Sequence, residues 1–279
     1  MTISKSKAAS RAEAYYDSEA ADAFYQSFWG GEDIHIGSYK NDGETIADAS
    51  RHTVEIMAGK LQAVSAKTRI LDLGSGYGGS GRYLARRFGA HVTCLNLSTT
   101  QNALNHELTL AGGLLKRIEI IHGDFENIPI DDCRYDIVWS QDAILHSGNR
   151  ERVLDEVARV LVPGGQFIFT DPMQTDDCPD GVLGPILDRI QLDTLSSFQF
   201  YRDALRERGF KEIDIIPMTE QLRTHYNRVR LELKNRYDEA VLLSGKEYVD
   251  NMIKGLGHWV DGADKSYLAW GILNFKAAG

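Results

Sequence analysis

Residues 70–79 read Ile-Leu-Asp-Leu-Gly-Ser-Gly-Tyr-Gly-Gly, and no other stretch restricts the fold of this chain as much. Apolar residues around Asp72 end a short buried strand. The glycines that follow permit a tight turn, where backbone N–H groups approach a ligand closely. Residues 79–88 then open a helix, so the turn joins a strand to a helix at the place where wound α/β sheets bind nucleotide-type ligands. A dinucleotide loop has the form G-x-G-x-x-G and seats a pyrophosphate on the helix N-terminus. Here the form is D-x-G-x-G-x-G-G, with an acidic side chain ahead of the first glycine.

From residue 69 onward strand and helix patterns alternate. Strands fit 69–73, 91–96, 117–122, 135–140 and 165–170. Helices fit 79–88, 99–111 and 150–161, the last closed by Pro163-Gly164-Gly165. Strands separated by single helices imply a parallel sheet with right-handed crossovers. A helix at 196–208 and a sixth strand at 211–216 continue the pattern, which then breaks. Residues 219–260 have helical spacing, with Leu222, Val229, Leu231, Leu233 and Tyr237 apolar, and 267–275 read as a final strand. Ahead of the sheet, 8–28 and 44–61 look helical around a glycine-containing loop, Trp29-Gly30-Gly31-Glu32-Asp33-Ile34-His35-Ile36-Gly37. The expected architecture is α/β, a Rossmann-like seven-stranded, mostly parallel sheet with an N-terminal helical lid. Its parts are a helical cap (1–68), an α/β core (69–218), a helical insert over the active site (219–262) and the final strand of the core sheet (263–279).

A net charge of −9 argues against a nucleic-acid surface, which needs clustered Lys and Arg. Cys94, Cys133 and Cys178 are odd in number and form no C-x-x-C pair, so neither a disulfide framework nor a zinc site is indicated. Residues 1–10 are polar, and no apolar run approaches the roughly 20 residues that span a bilayer. The expectation is a soluble cytoplasmic protein, monomer or homodimer, with no metal, no membrane and no nucleic-acid partner.

In open α/β sheets the informative residues stand at the carboxyl ends of the strands. Asn96 ends the second strand, where an acid usually accepts hydrogen bonds from ribose hydroxyls; Asn keeps one acceptor oxygen and adds donors. A turn former before Leu97-Ser98 is the other reading. Asp124, in His122-Gly123-Asp124-Phe125, could accept the exocyclic amine of adenine while the ring packs on Phe125; an exposed loop Asp is the alternative. Taken in order, Asp72-Leu73-Gly74-Ser75-Gly76, Asn96, Gly123-Asp124-Phe125 and Leu161-Val162-Pro163-Gly164-Gly165 resemble the motifs of class I S-adenosylmethionine (SAM) methyltransferases over 69–170. Their ligand carries a methionine ammonium and no phosphate. The resemblance implies that Asp72 and the loop Gly74, Ser75 and Gly76 hold the methionyl end. It gives the ribose to Asn96 with Leu97 and Gln101, and the adenine to Asp124 with Phe125. Tyr25, Ile36 and Gln141 complete the expected cofactor pocket.

The fourth strand runs into Gln141-Asp142-Ala143-Ile144-Leu145-His146-Ser147. Asp142 and His146 are spaced to point the same way from a helical turn. Methyl transfer to an amine needs an unprotonated lone pair, and a His of near-neutral pKa, or an Asp acting through a water or Tyr, can take that proton. A capping Asp and a packed His are the structural alternative. The segment resembles that of small-amine N-methyltransferases, the phosphoethanolamine and the sarcosine/dimethylglycine enzymes. In the former an N-terminal Tyr and the equivalent Asp form a dyad, and Tyr16 is the residue chosen for it here, with Tyr25 in the cofactor pocket. The loop at 29–37, Thr170-Asp171-Pro172-Met173-Gln174-Thr175-Asp176 and Tyr267-Leu268-Ala269-Trp270-Gly271-Ile272 are similar to the sarcosine/dimethylglycine enzymes along nearly the whole chain. Those enzymes carry out the last methylations from glycine towards the osmolyte glycine betaine.

A quaternary ammonium product favours aromatic faces by roughly 0.5–2 kcal/mol each. Tyr201, Tyr226, Trp259, Tyr267 and Trp270 are candidates, of which two at most are expected as ligands. A carboxylate asks for an Arg, and Arg202, Arg223, Arg228 and Arg51 are unranked candidates. His225-Tyr226 is expected on a solvated helix face. Three other readings are weaker: phosphoethanolamine methylation needs extra Lys or Arg near the pocket, in which the insert is not enriched; lipid or quinol methylation needs a broader apolar pocket and a membrane-seeking surface, neither of which the sequence shows; and Asp142 and His146 argue against a catalytically inert SAM-binding module.

Overall fold

The computed structural model describes residues 6–29 and 31–279, so Gly30 of the expected loop and the first five residues of the polar tail lie outside the described residues. The chain begins with α1 (Lys7–Tyr16) and α2 (Glu19–Phe24), followed by one π-type turn at Tyr25–Trp29. One helix was expected over 8–28, and its break at Asp17-Ser18 has a local cause. Ser18 turns its hydroxyl to the Ala21 N–H and caps α2 instead of continuing α1. Then come α3 (Ile46–Ala58), β1 (Arg69–Leu73), α4 (Gly79–Phe88), β2 (His91–Asn96) and α5 (Thr99–Ala111). The carboxylate of Asp17 accepts the Ser98 hydroxyl at 2.6 Å and the Thr100 N–H at 3.2 Å, pinning the N-terminal segment to the start of α5.

The middle of the chain holds β3 (Ile118–His122), β4 (Tyr135–Gln141), α6 (Arg150–Val160), β5 (Leu161–Thr170), β6 (Met173–Gln174) and α7 (Gly184–Ile190). It continues with α8 (Phe198–Glu207), β7 (Lys211–Pro217), α9 (Thr219–Asn235), α10 (Tyr237–Ser244), α11 (Lys246–Asp264), β8 (Leu268–Ala269) and β9 (Gly271–Lys276). The expected single strand at 267–275 is therefore two. Leu268 and Ala269 pair with β6 in a separate ribbon, and only β9 enters the large sheet.

That sheet has seven strands in the order β3-β2-β1-β4-β5-β9-β7. The pairs from β3 to β5 are parallel, and β9 lies antiparallel between β5 and β7. The expected α/β architecture is thus present. Both faces are covered, as a parallel sheet requires: Leu73, Phe167 and Phe169 pack with Leu154 of α6 and Leu205 of α8. Ile70, Val92 and Trp139 pack on the other side with Met57 of α3 and Leu84 of α4. A third cluster sits apart from these two. Phe24, Trp29, Tyr226, Met252 and Trp259 join the N-terminal helices to α9 and α11.

Candidate active site

The loop after β1 takes its shape from glycine. Gly74 and Gly76 have φ of 71° and 52°, and a Cβ on Gly74 would strike the Cβ of Ala143, so a side chain there would wedge the loop off the end of β4. Between this loop and the end of β2 runs a narrow cleft of about 70 Å³. Gly74, Gly76, Asn96, Leu97, Gln101, Phe125 and Gln141 stand on its wall. Asn96 donates its amide to Gln101 Oε1 at 3.0 Å. Gln141 accepts from the Ser80 hydroxyl at 2.7 Å and Trp139 Nε1 at 3.0 Å, which leaves its own buried NH2 without a partner.

The other expected cofactor residues are placed differently. Asp72 and Ser75 are buried at the base of the loop, away from the cleft wall. Asp72 Oδ2 has no hydrogen-bond partner. Burial, with the Asp33 charge adding to it and Arg82 opposing, pushes its carboxyl up to about 7. Half-buried Asp124 lies between the wall residues Gly123 and Phe125, and its Oδ1 accepts the Glu126 N–H at 2.8 Å. Tyr25 and Ile36 line a second, larger cavity.

That second cavity measures about 880 Å³ and meets the cleft at Ala12, Tyr16, Ile34, Asp142 and His146, which border both. Asp142 follows β4 with φ of 51°, a left-handed conformation that Asp tolerates better than most residues. Its carboxylate is clamped. Oδ2 accepts the Ile36 N–H at 2.8 Å and Oδ1 accepts Trp270 Nε1 at 2.7 Å. Burial raises its pKa to about 6, against the downward pull of these two donors.

The expected helical turn over 142–146 is only a 3-10 turn at Ile144–His146, because Asp142 leaves the helical region. Tyr16 does not pair with Asp142 as the dyad implied. Its hydroxyl meets His146 Nε2 at 3.1 Å. Burial lowers His146 to about 4 and raises Tyr16, so both are neutral near pH 7.

Two residues behind the wall were missed as positioning groups. Asp171 accepts the Leu145 N–H at 2.8 Å and the Tyr201 hydroxyl at 2.7 Å, which fixes the turn that carries His146. His225 is fully buried, contrary to the solvated face expected, because α9 packs that side against Trp29. Its Nδ1 accepts the Gly37 N–H at 3.0 Å, one residue from the Ile36 N–H that holds Asp142. Burial lowers its pKa to about 3.

Of the five aromatic candidates, Tyr226 and Trp259 reach the cavity wall, joined there by Tyr25, Trp29 and Tyr248. Tyr201 and Trp270 act from behind as donors to Asp171 and Asp142. Tyr267 packs in the helical cluster. None of the four candidate arginines reaches the cavity. Arg51 pairs with Asp33, Arg202 with Glu212 and Arg223 with Asp264, while Arg228 donates to backbone carbonyls of residues 42 and 44. The cavity arginines are Arg11 and Arg189.

Comparison with known proteins agrees with this geometry. Residues 71–169 match the methyltransferase domain family. A sarcosine/dimethylglycine N-methyltransferase of Halorhodospira halochloris is 52% identical over 265 residues, 95% of each chain. A glycine/sarcosine/dimethylglycine N-methyltransferase of Actinopolyspora halophila is 50% identical over 98% of this chain and 48% of its own length. A Galdieria sulphuraria crystal structure, assigned there as a candidate sarcosine dimethylglycine methyltransferase, superposes with a TM-score of 0.90 at 40% identity, covering 95% of this chain and 99% of that one. The fold and cleft are those of a class I methyltransferase, an enzyme that uses SAM as its cofactor. Within that class the chain belongs to the sarcosine/dimethylglycine N-methyltransferase family. Among the described residues no helix is long and apolar enough to cross a membrane.

Proposed function

We propose that the protein methylates sarcosine to dimethylglycine and dimethylglycine to glycine betaine, with the acceptor nitrogen held where the two hollows meet. The observation that carries this is the five-residue border of Ala12, Tyr16, Ile34, Asp142 and His146, shared by the glycine-loop cleft and an aromatic-walled cavity.

The cleft fits SAM on its own chemistry: a glycine cradle that a side chain would fill, and an unpaired Gln141 amide available to the methionyl carboxylate. Asn96 with Leu97 and Gln101 serves the ribose, Phe125 with Asp124 the adenine. Asp72 and Ser75 support the loop from below rather than touching the ligand. Bound SAM supplies a methyl group on a sulfonium, which the acceptor amine takes as a neutral thioether departs.

The residues at the border do the rest. The acceptor amine, with its proton, is a cation, and buried Asp142 is the negative charge facing it. The two donors on Asp142 keep it ionised above about pH 6 and fix its direction. The ammonium proton passes to the Asp142 carboxylate, whose raised pKa makes it the stronger base at the border, and the lone pair is freed; His146, held neutral by burial and joined to the Tyr16 hydroxyl through Nε2, positions the amine. Tyr25, Trp29, Tyr226 and Trp259 present π-faces to the growing methylammonium head, each adding roughly 0.5–2 kcal/mol for a cation and excluding water.

The experiment is turnover with methyl-labelled SAM on glycine, sarcosine, dimethylglycine and phosphoethanolamine. Label in glycine betaine from dimethylglycine is the expected result. Label in phosphoethanolamine alone would move the substrate.

A further inference from the structure

Arg189 stands near the end of α7, a short helix that carries it to the cavity wall. Its guanidinium is half-buried and makes no ion pair among the described residues. Its hydrogen bond goes from Nη2 to the thioether sulfur of Met252 at 2.8 Å, and a thioether is a weak acceptor. Such a guanidinium is a fork of donors with no anion on it. The fold makes room for it: α11 has Gly255 where its stem crosses, and a Cβ there would collide with the Arg189 Cδ and Nε. The other cationic side chains on the wall do not match. Arg11 and Lys254 are exposed at the mouth, and Arg11 lies against the carbonyl of Gln191.

Position agrees with chemistry. Burial raises the pKa of both Tyr16 and Tyr226, and on each the Asp142 charge adds to the rise while Arg189 opposes it, so the two hydroxyls lie in the field of both groups. The cavity therefore holds charges of both signs, a carboxylate at its border with the cleft and a guanidinium on a part of the wall that the cleft does not share. An amino acid with a methylated nitrogen and a free carboxylate has the complementary charges.

We infer that Arg189 binds the carboxylate of the acceptor through a two-pronged pair and is the residue that selects amino-acid amines over amines without a carboxylate. This rests on the acceptor reading above. A planar fork matches a carboxylate in a way a surface lysine does not, and burial in an aromatic-walled cavity strengthens the pair. One half-buried guanidinium balances one carboxylate, whereas a phosphate dianion asks for two.

The test uses the full chain with two acceptors, dimethylglycine and N,N-dimethylethanolamine, the second having a hydroxyl where the first has a carboxylate. Arg189→Ala is expected to raise KM for dimethylglycine about tenfold to a hundredfold. Its SAM Kd and its kcat/KM for N,N-dimethylethanolamine are expected to stay unchanged. Arg189→Lys keeps the charge and loses the fork, and should fall between wild type and Arg189→Ala. If Arg189→Ala left KM for dimethylglycine unchanged while the wild type turned it over, this assignment would be overturned and the acceptor reading would stand. An equal loss on both acceptors would mean a structural role and overturn it too. A wild type that binds SAM but methylates no carboxylated amine would overturn both readings.

Discussion

Trp270 donates its indole N–H to Asp142 Oδ1 at 2.7 Å, joining residues 128 positions apart in the chain. The bond forms because β9 enters the sheet beside β5, placing the residue just before it against the end of β4. The indole and the Ile36 N–H are the two largest of the donors that oppose burial at this carboxylate, ahead of the Thr170 hydroxyl. Trp270→Phe removes one of them. Asp142 should then protonate at a higher pH, moving the acid limb of kcat/KM upward from about 6 by roughly one pH unit. A pH–rate profile reads this directly. An unmoved limb would detach Asp142 from the pH dependence.

His146 sits at about 4 and is neutral across the working range, so no histidine limb should appear between about pH 5 and pH 8. Tyr16→Phe breaks the 3.1 Å contact to its ring. Removing such a positioned partner should lower kcat by about tenfold to a hundredfold and leave SAM affinity within about twofold. Single-turnover kinetics with separate calorimetry of SAM binding distinguishes the two. A parallel loss of cofactor affinity would place Tyr16 in the cofactor site instead.

Asp72 carries a stability prediction whose sign follows from its burial. Its folded pKa of about 7 lies above the ordinary carboxyl value, so the proton it holds favours the folded chain at low pH. That contribution is fully present below about pH 4 and is lost as pH rises through about 7. Asp72→Asn removes the ionisable group. Without SAM it should melt higher than wild type at about pH 8, by the equivalent of about 1–3 kcal/mol, with the gain vanishing toward about pH 4. Calorimetric melting across that range is the check; a variant less stable than wild type at pH 8 would contradict it.

Asp171 is engaged twice, by the Leu145 N–H and the Tyr201 hydroxyl, and touches neither hollow. Asp171→Ala leaves both donors unpaired and should cost about 1–3 kcal/mol for each. Asp171→Asn keeps one acceptor and should restore part of the stability. Because the turn carrying His146 hangs on this bond, kcat should fall before SAM binding does, and kcat should recover with stability in the Asn variant.

Much of this was legible in the sequence where the determinants are local. The strands and helices between residues 69 and 170 fall within a few residues of their periodicities, because glycine turns and apolar runs mark most boundaries; the exception is Pro163-Gly164-Gly165, expected as the turn closing a helix but lying inside β5, which begins at Leu161. The cleft-wall residues Asn96 and Phe125 follow from the rule that ligands lie beyond strand ends, Gly74 and Gly76 from the turn they make after β1, and Gln101 from the resemblance to class I methyltransferases. What was not legible depends on long-range packing. Nothing near residues 184–190 signals that a short helix brings Arg189 into a cavity; of the four arginines chosen from sequence, three are paired with acids and Arg228 is held by backbone carbonyls, partners that pattern does not reveal. Likewise His225 reads as a surface residue until Trp29 and the loop at Gly37 are seen to cover it. Trp270 was visible as an aromatic ring but not as a hydrogen-bond donor, since that requires knowing where β9 enters the sheet.

The most direct test of the central claim is the transfer of labelled methyl from SAM to dimethylglycine by wild type, Asp142→Asn and His146→Ala proteins side by side. The account predicts label in glycine betaine with wild type, and a loss of about a hundredfold or more in both variants while SAM binding holds. Full turnover by either variant, or SAM binding with no label in any carboxylated amine, would contradict it.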